Sequence, residues 1–244
     1  MPVSSENAWA SYLAGFSGQM DDLRARFVTD EFLEFPDFGP AELREQLDAE
    51  VVSLLDNHGV KRRINVARTG NTPRFMEVVG RKTIVAESET VPQTYHSQAL
   101  RSFLAELTKE TAILPVPFEP EEMVISRLAE QGETHGWHWD DYTYALVWIV
   151  EAPAEEAGGS LEYIRDTAWD KTNPRIDEHL ANGTVERRHP ATGSAYLLKA
   201  DTAMHRVAPL TSEGARRVIL CFSYATPAEV DKTVDHTEVD FYSA

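Results

Sequence analysis

Apolar residues in the first half of the chain return at helical spacing. After Pro40, the residues Leu43, Leu47, Val51, Leu54 and Leu55 fall on one face, and Gly59 ends the run. Proline suits a first helical turn, whose amides lack partners within the helix, and glycine suits its close. The pattern predicts an amphipathic helix. A second begins near Ser97, with Leu100, Phe103, Leu104 and Leu107 on one face. Between the two, Arg63 to Arg81 holds short strand-like pieces. From Met123 the character changes to strands separated by short turns. Tyr144 to Val150 is apolar throughout, as expected of a strand buried on both faces. Gly158-Gly159 turns into a strand at Ser160-Leu161-Glu162, and Gly193 opens another that runs to Leu198. Val218 to Tyr224 is a further strand, while 168–180 reads as an insertion with helical character. The predicted fold class is α+β, with helices packed on a double-stranded β-helix of the jelly-roll or cupin-like kind. One domain is expected over 1–244. Residues 1–120 would form a mainly helical elaboration, 121–226 the jelly-roll core and 227–244 a C-terminal tail.

Composition narrows the partners. The chain has 244 residues, 23 Lys and Arg against 40 Asp and Glu, and a net charge of -17. Phosphate backbones and anionic membrane surfaces would be repelled, so neither nucleic acid nor membrane is expected. No apolar run reaches the length of a membrane span. Met1 to Glu6 lacks the basic and apolar regions of a signal peptide, and Cys221 is the one cysteine. A reducing, cytoplasmic setting is expected. Nothing in the pattern sets the oligomeric state.

The chemistry is concentrated at His138-Trp139-Asp140 and at His205. In a strand, residues i and i+2 face the same way, so His138 and Asp140 can hold one metal from one short segment. His205, arriving on a neighbouring strand, completes two imidazoles and one carboxylate. That is the facial triad of non-haem Fe(II) oxygenases, which leaves coordination positions open. A second pair, His236 and Glu238, has no histidine after it and reads as a solvated tail. Trp137, Trp139 and Trp148 read as core or cleft wall.

The order His138-Trp139-Asp140, Gly158-Gly159-Ser160-Leu161, His205-Arg206-Val207-Ala208-Pro209, Gly214-Ala215-Arg216 resembles the Fe(II)/2-oxoglutarate-dependent dioxygenases from Glu121 to Tyr224. Thr72-Pro73-Arg74, Glu121-Glu122 and His135 to Asp141 resemble, more narrowly, the radical halogenases of free lysine and their amino-acid hydroxylase relatives. The resemblance implies Fe(II) as cofactor and 2-oxoglutarate and O2 as cosubstrates. The halogenases carry glycine where this chain has Asp140. A carboxylate there fills the position used by chloride, which implies the hydroxylase side of the group. The distal carboxylate of 2-oxoglutarate calls for an arginine, whose guanidinium meets a carboxylate with two parallel hydrogen bonds. Arg216 and Arg217 are both candidates. Alternation places Arg216 on the face of Val218, Leu220 and Phe222, and the family's Gly-x-Arg pattern also selects it, so Arg216 is preferred.

The same resemblance implies that Glu121, His135 and Asp141 hold the substrate's amino groups and that Arg74 holds its carboxylate. The function so implied is hydroxylation of a free amino acid, with L-lysine first, at an unactivated side-chain carbon. The alternatives are the same cofactor chemistry on another amino acid or on a peptide- or carrier-bound residue, and a non-catalytic cupin-like binding protein.

Overall fold

The computed structural model describes residues 5–234, so the His236 and Glu238 pair lies outside it. Six helices precede the main run of strands: α1 (Ser5–Ala14), α2 (Met20–Asp30), α3 (Ala41–His58), α4 (Arg81–Glu87), α5 (Thr90–Tyr95) and α6 (Gln98–Thr108). The two anticipated from periodicity are α3 and α6. Pro40 sits at the N-cap of α3, and the Gly59 amide closes it by donating to Leu55 O at 2.9 Å. Ser97 caps α6 by accepting from the Leu100 amide at 3.2 Å. The inward faces of both helices are buried together.

Four strands also come from this region: β1 (Phe32–Phe35), β2 (Val60–Val66), β3 (Thr72–Gly80) and β4 (Leu114–Pro115). Eight follow: β5 (Met123–Leu128), β6 (Thr134–His138), β7 (Tyr144–Glu151), β8 (Leu161–Ile164), β9 (Glu186–Arg188), β10 (Ala195–Lys199), β11 (Met204–Val207) and β12 (Arg217–Ala225). Their order is β1-β10-β7-β12-β5-β3-β6-β11-β8-β9, with β2 beside β3 and β4 beside β12. Every pairing in this curled sheet is antiparallel. β3 makes the corner. Its Glu77–Gly80 half pairs with β5, while Arg74 and Phe75 pair with β6. The result is a jelly roll with helices packed on one wall.

That wall explains the unbroken apolar run of β7. Leu146, Trp148, Leu197, Leu220 and Phe222 face the helices, in the large core that also holds Trp9, Leu47 and Leu104. Ala145, Val147, Tyr196 and Ile219 face the opposite way, into the interior of the roll. Residues on both faces lose contact with water, so no polar alternation is required.

The insertion after β8 departs from expectation. Helix α7 spans Ile176–Asn182, later than the 168–180 reading, and 165–175 has no regular structure. The Asp170 carboxylate accepts from the amides of Thr172 and Asn173 at 2.9 and 3.1 Å. This local closure competes with helix formation and delays its start. Among the described residues, no helix is long and apolar enough to cross a membrane.

Candidate metal centre

The interior of the roll holds a cavity of about 160 Å³. β6 brings two histidines to its wall through a bulge. His205 of β11 lies opposite His138, yet Val207 lies opposite His135, so three steps on β6 match two on β11. The extra residue turns His135 and His138 toward the same side, which regular alternation over three residues would not do. Their rings stack at 3.9 Å between centroids. Gly136 sits in this bulge against β3. A Cβ there would meet Pro73 Cδ at 2.7 Å and the Pro73 N and O at 2.9 Å. Backbone cannot swing aside as a flexible side chain can. Gly136→Ala is therefore expected to cost about 1–3 kcal/mol, the usual range for overpacking. Chemical denaturation should show the loss, and Fe(II) affinity should fall with it, because the displaced segment carries His138.

Asp140 follows β6, its amide donating to Ala200 O at 3.1 Å. One carboxylate oxygen lies 3.7 Å from Nε2 of His138 and 3.7 Å from Nε2 of His205. Among the described residues, His138, Asp140 and His205 form a group whose ligand atoms all lie within 4.8 Å of one another. Both imidazoles are oriented from behind. Nδ1 of His138 donates to Gly136 O at 2.8 Å, and Nδ1 of His205 donates to Ala203 O at 2.8 Å. A carbonyl can only accept, so Nδ1 carries the proton and the Nε2 lone pair faces Asp140. Such outer hydrogen bonds fix the tautomer of a metal-binding histidine. Burial, with Arg74 nearby, lowers the His205 pKa to about 4, and burial holds that of His138 well below its ordinary value. Both rings are neutral at pH 7 and able to bind a cation. Asp140 is pushed up to about 7, first by burial and then by Asp141. A divalent cation would relieve that cost. Two neutral nitrogens and one oxygen suit Fe(II) in its facial geometry, with no soft sulfur donor in the group.

The arginine reading is corrected by the structure. Arg217, not Arg216, lines the cavity. Arg216 is partly exposed and lies 3.3 Å from Glu151. Arg216 does share parity with Val218, Leu220 and Phe222. That face, however, lies under the helices, and the cavity face carries Arg217, Ile219, Cys221 and Ser223. Arg217 is 5% exposed, and its Nη2 is buried with no hydrogen-bond partner among the described residues. An orphaned guanidinium donor is costly without an anion to receive it, so the position suits a carboxylate ligand.

The other four residues anticipated from sequence also reach the cavity. Arg74 is buried and lies opposite His135 across β3 and β6. Its Nη1 donates to Thr72 Oγ1 and Pro73 O, both at 3.1 Å, which fixes the guanidinium. Glu121, His135 and Asp141 line the wall as well. Glu122, beside Glu121, instead turns away to accept from Arg81 at 2.8 Å. Further cavity residues carry no signal in the sequence, among them a lysine and a tryptophan. Lys171 and Trp169 come from the irregular insertion, and Lys171 forms an ion pair with Asp141. No local pattern linked them to the site. Trp137 and Trp139 belong to a small apolar cluster, from which Trp139 lines the cavity, and Trp148 belongs to the main core.

Glu121 is buried, and its carboxyl is pushed up to about 8 from 4.5, first by burial and then by Asp141 and Asp140. The folded protein therefore keeps this proton where the unfolded chain releases it. Stability contributed by the neutral form is lost as pH rises through that window. In metal-free protein, Glu121→Gln is expected to flatten the decline, by at most about 1.4 kcal/mol per pH unit. Urea unfolding across the window, with chelator present, measures the difference.

Comparison with known proteins agrees with this architecture. The family model described as HalD, Halogenase D, matches residues 17–243. No curated protein matches the chain. Among solved structures, a prolyl hydroxylase from Trichoplax adhaerens, in complex with a hypoxia inducible factor peptide fragment, is 13% identical. It covers 91% of this chain and 96% of its own, with a TM-score of 0.64. The non-heme alpha ketoglutarate dependent epimerase SnoN from nogalamycin biosynthesis is 15% identical, covering 86% and 83%, with a TM-score of 0.62. A 2OG-Fe(II) oxygenase family oxidoreductase from Burkholderia pseudomallei is 18% identical, covering 90% and 96%, with a TM-score of 0.58. At these identities the likeness is one of fold.

Proposed function

The chain belongs to the halogenase D family, and from that premise we propose that it is an Fe(II)- and 2-oxoglutarate-dependent hydroxylase of a free basic amino acid, with L-lysine first. The observation that carries the hydroxylase reading is Asp140, whose carboxylate lies 3.7 Å from both histidine nitrogens. In the free-lysine halogenases that the chain resembles, glycine stands there and leaves room for a halide. Fe(II) bound by His138, Asp140 and His205 would supply, with 2-oxoglutarate and O2, the oxidising power to convert an unactivated C–H into C–OH, releasing succinate and carbon dioxide. The remaining tasks fall to the protein. Gly136 O and Ala203 O hold the two imidazoles in the tautomer that presents Nε2. Arg217, at the cavity end of β12, receives the distal carboxylate of 2-oxoglutarate. Arg74, braced by Thr72 and Pro73, receives the carboxylate of the substrate. Glu121 and Asp141 offer acids to its amines, and His135 contributes from the bulge. The apolar walls around Val147 and Ile219 exclude water from the site.

The test is direct. Protein loaded anaerobically with Fe(II) and 2-oxoglutarate should show a weak visible charge-transfer band that a true substrate perturbs. In air, succinate release should rise with lysine or a close basic analogue, and that amino acid should gain one oxygen atom by mass spectrometry. Oxygen gain confined to a peptide, to a carrier-bound residue or to a neutral amino acid would sink the basic-substrate reading.

A further inference from the structure

We propose that Lys171 determines specificity as a resident ammonium, which the ammonium of a substrate must displace from Asp141. The inference rests on the reading of this cavity as an amino-acid site. Lys171 comes from the irregular segment between β8 and α7, and its Nζ forms an ion pair with Asp141 Oδ1. The same Nζ lies 4.4 Å from the centroid of the Trp169 ring. A carboxylate beside an aromatic face is a subsite for a primary ammonium, since both attract the cation. The chain's own lysine shows which chemistry the subsite accepts.

The subsite is firm, and its occupant reaches it on a flexible stem. Trp169 is tied by its Nε1, which donates to Arg68 O at 2.9 Å, and its ring lies parallel to Trp139 at 6.2 Å. The main chain of Asp141 is held from the other side by Lys232, whose Nζ donates to Asp141 O at 2.6 Å and lies 3.2 Å from Glu229. Lys171 has a long, flexible stem, and its side chain is 27% exposed. Its turn is closed by Asp170, so the ammonium can leave without disturbing the wall. A second ammonium beside Asp141 would be repelled by the first. Binding a basic substrate here is therefore an exchange of cations, with Lys171 released to solvent. A ligand lacking an amine at this end gains nothing to offset the displaced pair. The exchange thus favours side chains whose cationic end reaches both Asp141 and Trp169.

The test is calorimetric titration of L-lysine, L-ornithine and L-norleucine into anaerobic protein loaded with Fe(II) and 2-oxoglutarate. Lys171→Met keeps the stem and removes the competing charge. It should bind the basic probes roughly fivefold tighter, the equivalent of one partly exposed ion pair. Lys171→Arg, which keeps a cation, should show no such gain. In an Asp141→Asn background, Lys171→Met should also add nothing, because the competition runs through that carboxylate. Equal or weaker binding of the basic probes by Lys171→Met, when wild type binds them, overturns the inference and leaves the amino-acid reading standing. Failure of wild type and Lys171→Met alike to bind any basic probe removes that reading, and the inference with it.

Discussion

Replacing His205 with alanine is expected to abolish Fe(II) retention and 2-oxoglutarate turnover together, in a protein that stays folded. This is the largest effect expected. The three donor atoms converge within 4.8 Å, and deleting one leaves two, too few to hold the ion in facial geometry. The loss should exceed the ~10–100-fold typical of removing only an outer partner of a metal ligand. Asp140→Asn should behave alike toward the metal and differently toward stability. Folded metal-free protein holds the Asp140 carboxyl up at about 7 against 3.8 ordinarily, so the stability of its neutral form is lost as pH rises toward 7 and is gone above it. The amide that replaces it carries no charge, so the variant should melt no lower than wild type above neutrality. Wild type should gain melting temperature on adding Fe(II), and neither variant should. Iron analysis after desalting, thermal melts with and without Fe(II), and succinate assays give the three readouts. A His205→Ala protein that retains iron and turns over normally would remove His205 from the site.

The second large effect is at Arg217. Arg217→Ala is expected to weaken 2-oxoglutarate by on the order of 100-fold, because a buried anion left without its partner costs about 3 kcal/mol or more. Arg216→Ala should change it less than about twofold, as surface substitutions stay within about 0.5 kcal/mol. The 2-oxoglutarate dependence of succinate release, with Fe(II) saturating, separates the two. Reversed magnitudes would show that β12 presents the other face to the cosubstrate.

Local features of this protein were legible in the chain. The faces of α3 and α6 recur at a fixed period; Pro40 and Gly59 mark ends by their backbone chemistry, and Ser97 does so by its side-chain hydroxyl. Half of the candidate metal group was legible for a similar reason, since His138 and Asp140 stand two apart at the end of a strand. β1 was not read at all. Its four residues carry too short a pattern, and it is held by pairing with β10, far along the chain.

What sequence determined by itself was therefore what depends on near neighbours: helix faces, caps, strand alternation and the local half of the metal group. Tertiary structure decided the rest. Alternation told that Arg216 and Arg217 face opposite ways, but both faces of β12 are buried, and only the packing of helices on Val218, Leu220 and Phe222 decides which face meets the cavity. The bulge that turns His135 and His138 to one side depends on the pairing of β6 with β11. The meeting of Lys171 with Asp141 depends on where an irregular insertion comes to rest. Burial and pairing between distant segments set these outcomes, and neither leaves a period in the residues it acts upon.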